Sequence, residues 1–125
     1  MRVLVVDDDK ATRRMLARVV SRFPLVADVL TANDGAKAVQ VVLGEAAAGR
    51  PVTHITMDNQ MPVMTGQEAV RALREAGCTA RVVGLTGNVV GHDRRDFLSA
   101  GADDVLGKPV QRGDLMKALF RPGQA

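Results

Sequence analysis

The chain has 125 residues, of which 46% are hydrophobic and 25% charged, with a net charge of +3 and a pI near 9.6. That length suffices for one domain with one core and the composition is that of a folded globular protein, so residues 1–125 are expected to form a single domain and disorder is excluded. No apolar run approaches the roughly 18 residues needed to span a bilayer, and the N-terminus runs straight into a strand-like segment, so a cytoplasmic protein without membrane contact is expected.

In chain order, Arg2 to Val6 (RVLVV) is a β-rich apolar run that ends at Asp7, Asp8 and Asp9. Ala11, Met15, Leu16, Val19, Val20 and Phe23 then recur at helical spacing until Pro24 closes the segment. Residues 26–32 read as a second strand. Asn33-Asp34-Gly35 is a turn and helix start, and Ala38, Val39, Val42, Leu43 and Ala46 form one helical face. Gly49 and Pro51 end that helix, and residues 52–57 supply a third strand.

Asp58 follows this strand, so a charge is set at its carboxyl end and is expected in the loop above the sheet. Pro62 disfavours helix at Met61 and turns the chain. Thr65 with Glu68 three residues on is a capping-box start for a helix over residues 65–76, stopped at Gly77. Residues 80–85 are the fourth strand, breaking off at Thr86-Gly87-Asn88. A weak fourth helix over residues 92–100 ends at Gly101. A fifth strand over residues 102–106 precedes Gly107-Lys108-Pro109, and a last helix over residues 111–120 is weakened by Gly113.

Strands alternating with helices specify a parallel sheet covered on both faces by right-handed crossovers. Five such units give an α/β doubly wound, flavodoxin-like open sheet of order 2-1-3-4-5, whose ligands bind where strands 1 and 3 diverge. In that order Asp7, Asp8, Asp58, Thr86 and Lys108, each at the carboxyl end of a strand, come to one edge. Three carboxylates so close need a cation, and oxygen donors without His or Cys suit Mg²⁺ or Mn²⁺. Lys108 and the Thr86 hydroxyl add a positive charge and a donor for a phosphoryl group, and an Asp carboxylate beside a metal is a nucleophile for phosphoryl transfer.

The bland assignments are kept where the chemistry does not need the residue. Asp9 reads as an N-cap or surface charge, and His54 and His92 as surface or loop histidines without a carboxylate or thiol partner at ligand spacing. Cys78, the single cysteine, excludes an internal disulfide and reads as a buried or half-buried structural thiol. The arginines are scattered and no recognition-helix module is visible, so nucleic-acid binding is not expected.

VLVVDDD (residues 3–9), MDNQMPVMTG (57–66), LTGN (85–88) and GADDVLGKPV (101–110), in this order and at these separations, give the chain a close resemblance to the receiver domain of the two-component response-regulator family. The wording of the second and third motifs is closer to receivers of hybrid histidine kinases than to those of transcriptional regulators. The resemblance implies that Asp58 is the phosphoacceptor and that Asp8 and Asp58 bind Mg²⁺ directly with the Gln60 backbone carbonyl, Asp7 helping through water. It further implies that Thr86 and Lys108 contact the phosphoryl oxygens and that the Lys108–Pro109 bond is cis. The implied partner is a histidine kinase or histidine phosphotransfer protein, docked over the first helix and the loop after Lys108, near Arg13, Arg14 and Gln111. The implied domain is no enzyme beyond its own phosphorylation and dephosphorylation, and is a monomer or weak dimer.

Two departures stand out. Val105 occupies the position of the family's switching Tyr or Phe, so a signal is expected to leave through the loop after Thr86 and the fourth helix. Gln60 and Asn88 flank the attacking path, and Gly87 leaves it open. The competing reading is a Mg²⁺-dependent phosphohydrolase with an Asp nucleophile, although Gln60 stands where such an enzyme needs an acid. Flavin or nucleotide binding lacks a glycine-rich loop after the first strand.

Overall fold

The computed structural model describes residues 1–87 and 91–120; Asn88, expected beside the attacking path, lies outside the described residues. Five parallel strands, β1 (Arg2–Val6), β2 (Asp28–Ala32), β3 (His54–Asp58), β4 (Arg81–Thr86) and β5 (Asp104–Gly107), pair in the order β2-β1-β3-β4-β5. The helices are α1 (Lys10–Ser21), α2 (Gly35–Ala47), α3 (Gly66–Glu75), α4 (His92–Ala100) and α5 (Arg112–Leu119).

Period-two alternation divides the strand residues between two cores. Val3, Val5, Val83 and Leu85 pack with Leu16 and Val20 of α1 and Leu115 and Leu119 of α5. Leu4, Val6, Ile55, Met57 and Val82 pack with Ala38, Val42, Val70, Leu73 and Phe97 of α2, α3 and α4. Each fully buried aliphatic side chain stabilises the fold by about 1.5–3 kcal/mol, so the sheet is fixed from both sides and its carboxyl edge is a rigid platform.

Caps set the helix starts. Asp9 accepts from the Thr12 backbone N–H at 2.9 Å, as its N-cap assignment requires. Asp34 does the same for α2 with Lys37 at 2.7 Å. Thr65 and Glu68 close the expected capping box, at 3.2 and 2.9 Å. At α4 the N-cap is Gly91 and no side chain caps the helix. The other end of α4 is held firmly, with Gly101 left-handed at φ 117 and its carbonyl accepting from Arg74 Nε at 3.0 Å.

Four strands are corrected in their bounds, β4 running Arg81–Thr86 where residues 80–85 were expected. β2 begins at Asp28, two residues later than expected, because Val26 N–H bonds back to Phe23 at 3.4 Å after Leu25 takes φ 70. β3 begins at His54, where the expected run started at residue 52, and it includes Asp58. β5 runs Asp104–Gly107, shifted toward Lys108. Asp58 is therefore the last strand residue, paired with Leu85, and belongs to the sheet instead of a loop above it. His54 is likewise half-buried in β3, its ring centroid 5.2 Å from that of Phe120, and is no surface or loop histidine. Cys78 is a free, half-buried thiol, and the Lys108–Pro109 peptide is cis.

Candidate functional site

The ends of β1, β3, β4 and β5 converge on a cavity of about 490 Å³ lined by Asp7, Asp8, Asp58, Gln60, Thr86 and Lys108, the six residues the sequence singled out, together with Asp9, Asn59, Gly87 and Asp93. Backbone bonds hold the four strand ends in register. Asp7 N–H donates to Ala32 O at 3.2 Å, Asn59 N–H to Leu85 O at 3.0 Å, and Lys108 N–H to Thr86 O at 2.8 Å. Gly66 closes the loop after Asp58 by donating to Asn59 O at 2.9 Å. A Cβ there would run into the Asp58 carbonyl, so only glycine permits the approach.

Asp7, Asp8 and Asp58 each bring one carboxylate oxygen within 4.8 Å of the other two. Asp7 and Asp58 are 1% and 4% exposed, whereas Asp8 is open to solvent. Lys108 Nζ is the one side-chain cation reaching them among the described residues, 2.5 Å from Asp58 Oδ1 and 3.5 Å from Asp7 Oδ2. Asp7 Oδ1 accepts the Asp9 N–H at 2.9 Å, while its buried Oδ2 accepts no hydrogen bond. One lysine does not balance three carboxylates, and the spare buried oxygen faces the same space, so the donor set fits a hard divalent cation.

Burial lifts the Asp58 carboxyl above the usual carboxylate range; the Lys108 hydrogen bond pulls it back only in part, and the Asp7 charge lifts it again. Burial pulls the Lys108 ammonium down, but the hydrogen bond to Asp58 and the charges of Asp58 and Asp7 outweigh it, and its pKa is raised. These directions agree physically, because the lysine gains two anionic neighbours where Asp58 gains one cation and one repelling carboxylate.

Two polar neighbours of the site were not singled out from the sequence. Asn59, 8% exposed, donates from Nδ2 to Thr86 Oγ1 at 3.2 Å, and Thr86 Oγ1 donates to Asp93 Oδ2 at 3.4 Å. A polar residue following Asp58 at the end of an apolar strand was the only signal of the first; nothing in the spacing pointed to the second. His92 also departs from its expected isolation, since it brings a ring nitrogen within 4.8 Å of carboxylate oxygens of Asp93 and Asp96. Val105 is 3% exposed and packed in the core on the α2, α3 and α4 side.

A doubly wound sheet with a lysine-countered carboxylate cluster at the divergence of β1 and β3 defines a flavodoxin-like α/β domain built around an acidic pocket. The chain belongs to the response regulator receiver domain family, whose sequence profile matches residues 3–120. It is accordingly a receiver domain of two-component signalling, a phosphoacceptor switch module, and the phosphohydrolase reading is not favoured. It is 38% identical over 124 residues to the two-component response regulator ORR41 of Oryza sativa subsp. japonica, covering 97% of this chain and 94% of that one. It is 34% identical over 119 residues to the sensor histidine kinase RcsC of Salmonella typhi, covering 95% of this chain but only 12% of that one. The receiver domain of the Arabidopsis thaliana histidine kinase CKI1, complexed with Mg²⁺ and BeF₃⁻, superposes with a TM-score of 0.80 at 28% identity, covering 94% of this chain and 85% of that one. Among the described residues no helix is long and apolar enough to cross a membrane.

Proposed function

We propose that Asp58 accepts a phosphoryl group from the phosphohistidine of a histidine kinase or histidine phosphotransfer protein, and that the domain then signals by changed protein contacts. The observation that carries this reading is the Asp7, Asp8 and Asp58 cluster with Lys108 Nζ laid on Asp58. Mg²⁺, or Mn²⁺, would be held by Asp8 and Asp58 with the Gln60 backbone carbonyl, and by Asp7 through water. When bound, it would supply positive charge against the oxygens of the incoming phosphoryl group.

In the transfer, an Asp58 carboxylate oxygen attacks phosphorus, the P–O bond forms, and the P–N bond to imidazole breaks. The imidazole keeps the electron pair and takes a proton. Lys108 shifts from the Asp58 carboxylate to a phosphoryl oxygen, and the Thr86 hydroxyl donates to another. Hydrolysis of the acyl phosphate returns Asp58, so the domain's chemistry is limited to gaining and losing this group, without turnover of an outside substrate.

For the partner, α1 carries Lys10, Arg13, Arg14 and Arg18 and no acidic residue. Beside it a groove of about 530 Å³ is lined by Thr12, Met15, Leu16, Lys108, Pro109 and Val110. Arg13 is engaged with the Asp7 carbonyl at 2.9 Å, so the exposed Arg14 is the freer cation for a partner's acidic rim. Residues 1–125 act as a single domain, cytoplasmic, as a monomer or weak dimer, with no contact to nucleic acid or membrane. In a longer protein it would be the receiver segment of a hybrid histidine kinase.

Intact mass after incubation with a small phosphodonor and Mg²⁺ tests the reading. One added phosphoryl group is expected, lost with Asp58→Asn and with chelator. An adduct that persists in Asp58→Asn overturns the assignment of the acceptor.

A further inference from the structure

We infer that Arg13 is a positioning residue for the cation site: its guanidinium, laid on the main-chain carbonyl of Asp7, fixes the direction in which Asp8 leaves the sheet. This rests on the reading of Asp7, Asp8 and Asp58 as the seat of a divalent cation. Arg13 Nη1 donates to Asp7 O at 2.9 Å, and the side chain that reaches there is half-buried.

Asp7 is pinned in two further places, its N–H donating to Ala32 O at 3.2 Å and its Oδ1 accepting the Asp9 N–H at 2.9 Å. With the Arg13 bond, both of its main-chain polar groups are held and Oδ2 alone is left without a hydrogen bond. The peptide joining Asp7 to Asp8 is planar, so holding its carbonyl also holds its N–H and the direction in which the Asp8 backbone sets out. That direction matters because Asp8 is exposed and its carboxylate makes no hydrogen bond among those described. Its approach to within 4.8 Å of the Asp7 and Asp58 carboxylates is therefore set by the backbone that carries it.

The strut has a firm base. Arg13 N–H donates to Asp9 O at 2.8 Å in the first turn of α1, and Asp9 caps that turn through the Thr12 N–H at 2.9 Å. A guanidinium is permanently charged and planar, and a hydrogen bond from a charged donor is roughly twice as strong as one between neutral groups. Charge and position act here with opposite signs. A positive charge beside the carboxylates opposes a second cation, whereas a fixed Asp7–Asp8 peptide favours it. Electrostatics alone would make Arg13 a handicap to the site, so its inward placement is accounted for by what it holds.

Calorimetric titration of Mg²⁺ into the metal-free domain separates the two effects. In about 1 M potassium chloride the screening length falls to about 3 Å and the charge effect is suppressed. Arg13→Met keeps an apolar stem and loses the donor, and under these conditions it is expected to weaken Mg²⁺ binding about three- to tenfold, the scale of one net hydrogen bond. In the metal-free variant, solvent exchange of the Asp9 amide, followed by NMR, should quicken, since a loosened Asp7 holds that N–H less firmly. Unchanged or tighter binding in Arg13→Met overturns the inference, and lower thermal stability with an unchanged Kd leaves Arg13 a structural residue only. Should Arg13→Met not fold, Arg13→Lys keeps the charge but ends short of the carbonyl, and weaker binding is expected from it at any salt; wild-type affinity there overturns the inference equally. A wild-type protein that binds no Mg²⁺ overturns the cation site along with it, while the assignment of Asp58 as acceptor is judged separately by intact mass.

Discussion

The ring of Phe97 lies directly over Gly84, so that a Cβ built on Gly84 would meet three of its ring atoms at 2.8–2.9 Å. The same ring reaches toward Gly66, whose Cβ would be 3.0 Å from Phe97 Cζ. Phe97 is fully buried and is the wedge by which α4 packs on the sheet behind Asp58. Gly84→Ala is expected to destabilise the fold by about 1–3 kcal/mol, the cost of one extra carbon in a filled core. Phe97→Leu in that background should recover part of the loss. Denaturant unfolding of the two singles and the double measures the coupling, and strict additivity would mean that the ring simply swings aside.

Val63 takes φ 72 between Pro62 and Met64, with Met64 N–H bonded to Pro62 O at 2.7 Å. This is a γ-turn centred on a β-branched residue, a conformation that strains every residue except glycine. Its side chain is 85% exposed, so little packing would be lost on removing it. Val63→Gly is expected to raise stability by about 1 kcal/mol, strain relief exceeding the added freedom of the unfolded chain. A lower unfolding midpoint would show that the valine packs in a way its exposure does not suggest.

The contrast between these sites and the strands explains what could be read from residues alone. Runs such as Arg2–Val6 are buried on both faces, so their apolar continuity survives in the sequence, and the crossover rule then fixes their order. Asp7, Asp58, Thr86 and Lys108 follow from the same logic, since each ends or closely follows a strand that the order brings to one edge. Pro62 announced a turn, but not that Val63 would bear its positive φ. At Thr53 the hydroxyl accepts from Arg2 N–H and donates to Arg2 O, both at 3.0 Å. Thr53 also bonds both neighbours through its backbone, its N–H donating to Arg2 O at 2.9 Å and its carbonyl accepting from Arg81 N–H at 3.0 Å, yet the paired register begins at His54 although the apolar run begins at Val52. The contacts joining Asn59, Thr86 and Asp93 depend on rotamers and on where α4 starts, and no spacing encodes either.

Thr56 lies between Val5 and Val83 in the centre of the sheet, fully buried, and its hydroxyl has no hydrogen-bond partner among the described residues. Leaving a hydroxyl dry costs on the order of 1–3 kcal/mol. Thr56→Val, nearly isosteric, is expected to stabilise the domain by about 1 kcal/mol with phosphorylation unchanged, as read by thermal unfolding and intact mass. Destabilisation would mean that the hydroxyl is satisfied by an ordered water.

His54 makes stability depend on pH. Burial lowers its pKa from the ordinary 6.5, and the positive charges of the N-terminus and Arg81 lower it further. The unfolded chain therefore takes up the proton at higher pH than the native one. The stabilisation is fully present above pH about 6.5 and is lost as pH falls through the folded value. His54→Gln should flatten that limb of the stability curve, and an NMR titration should place the His54 imidazole below the ordinary value. An unaltered acid limb in the variant would assign the pH dependence to other groups.

Cation binding should separate the roles of the three carboxylates. Asp8 is exposed and its side chain makes no hydrogen bond among those described, so Asp8→Asn removes a proposed ligand with little structural cost. For the wild type, Mg²⁺ at ten times its Kd is expected to stabilise the native state by about 1.4 kcal/mol. In Asp8→Asn that gain should largely vanish while metal-free stability stays equal or rises, because one of three mutually repelling charges is gone. Asp7→Asn is different, since Asp7 Oδ1 holds the Asp9 N–H at the start of α1 and Oδ2 faces Lys108. Its metal-free stability should fall unless the amide oxygen keeps the Asp9 contact, in which case relief of repulsion wins and stability rises. A Mg²⁺-induced shift of equal size in wild type and Asp8→Asn would place the cation elsewhere, away from the cluster formed by Asp7, Asp8 and Asp58.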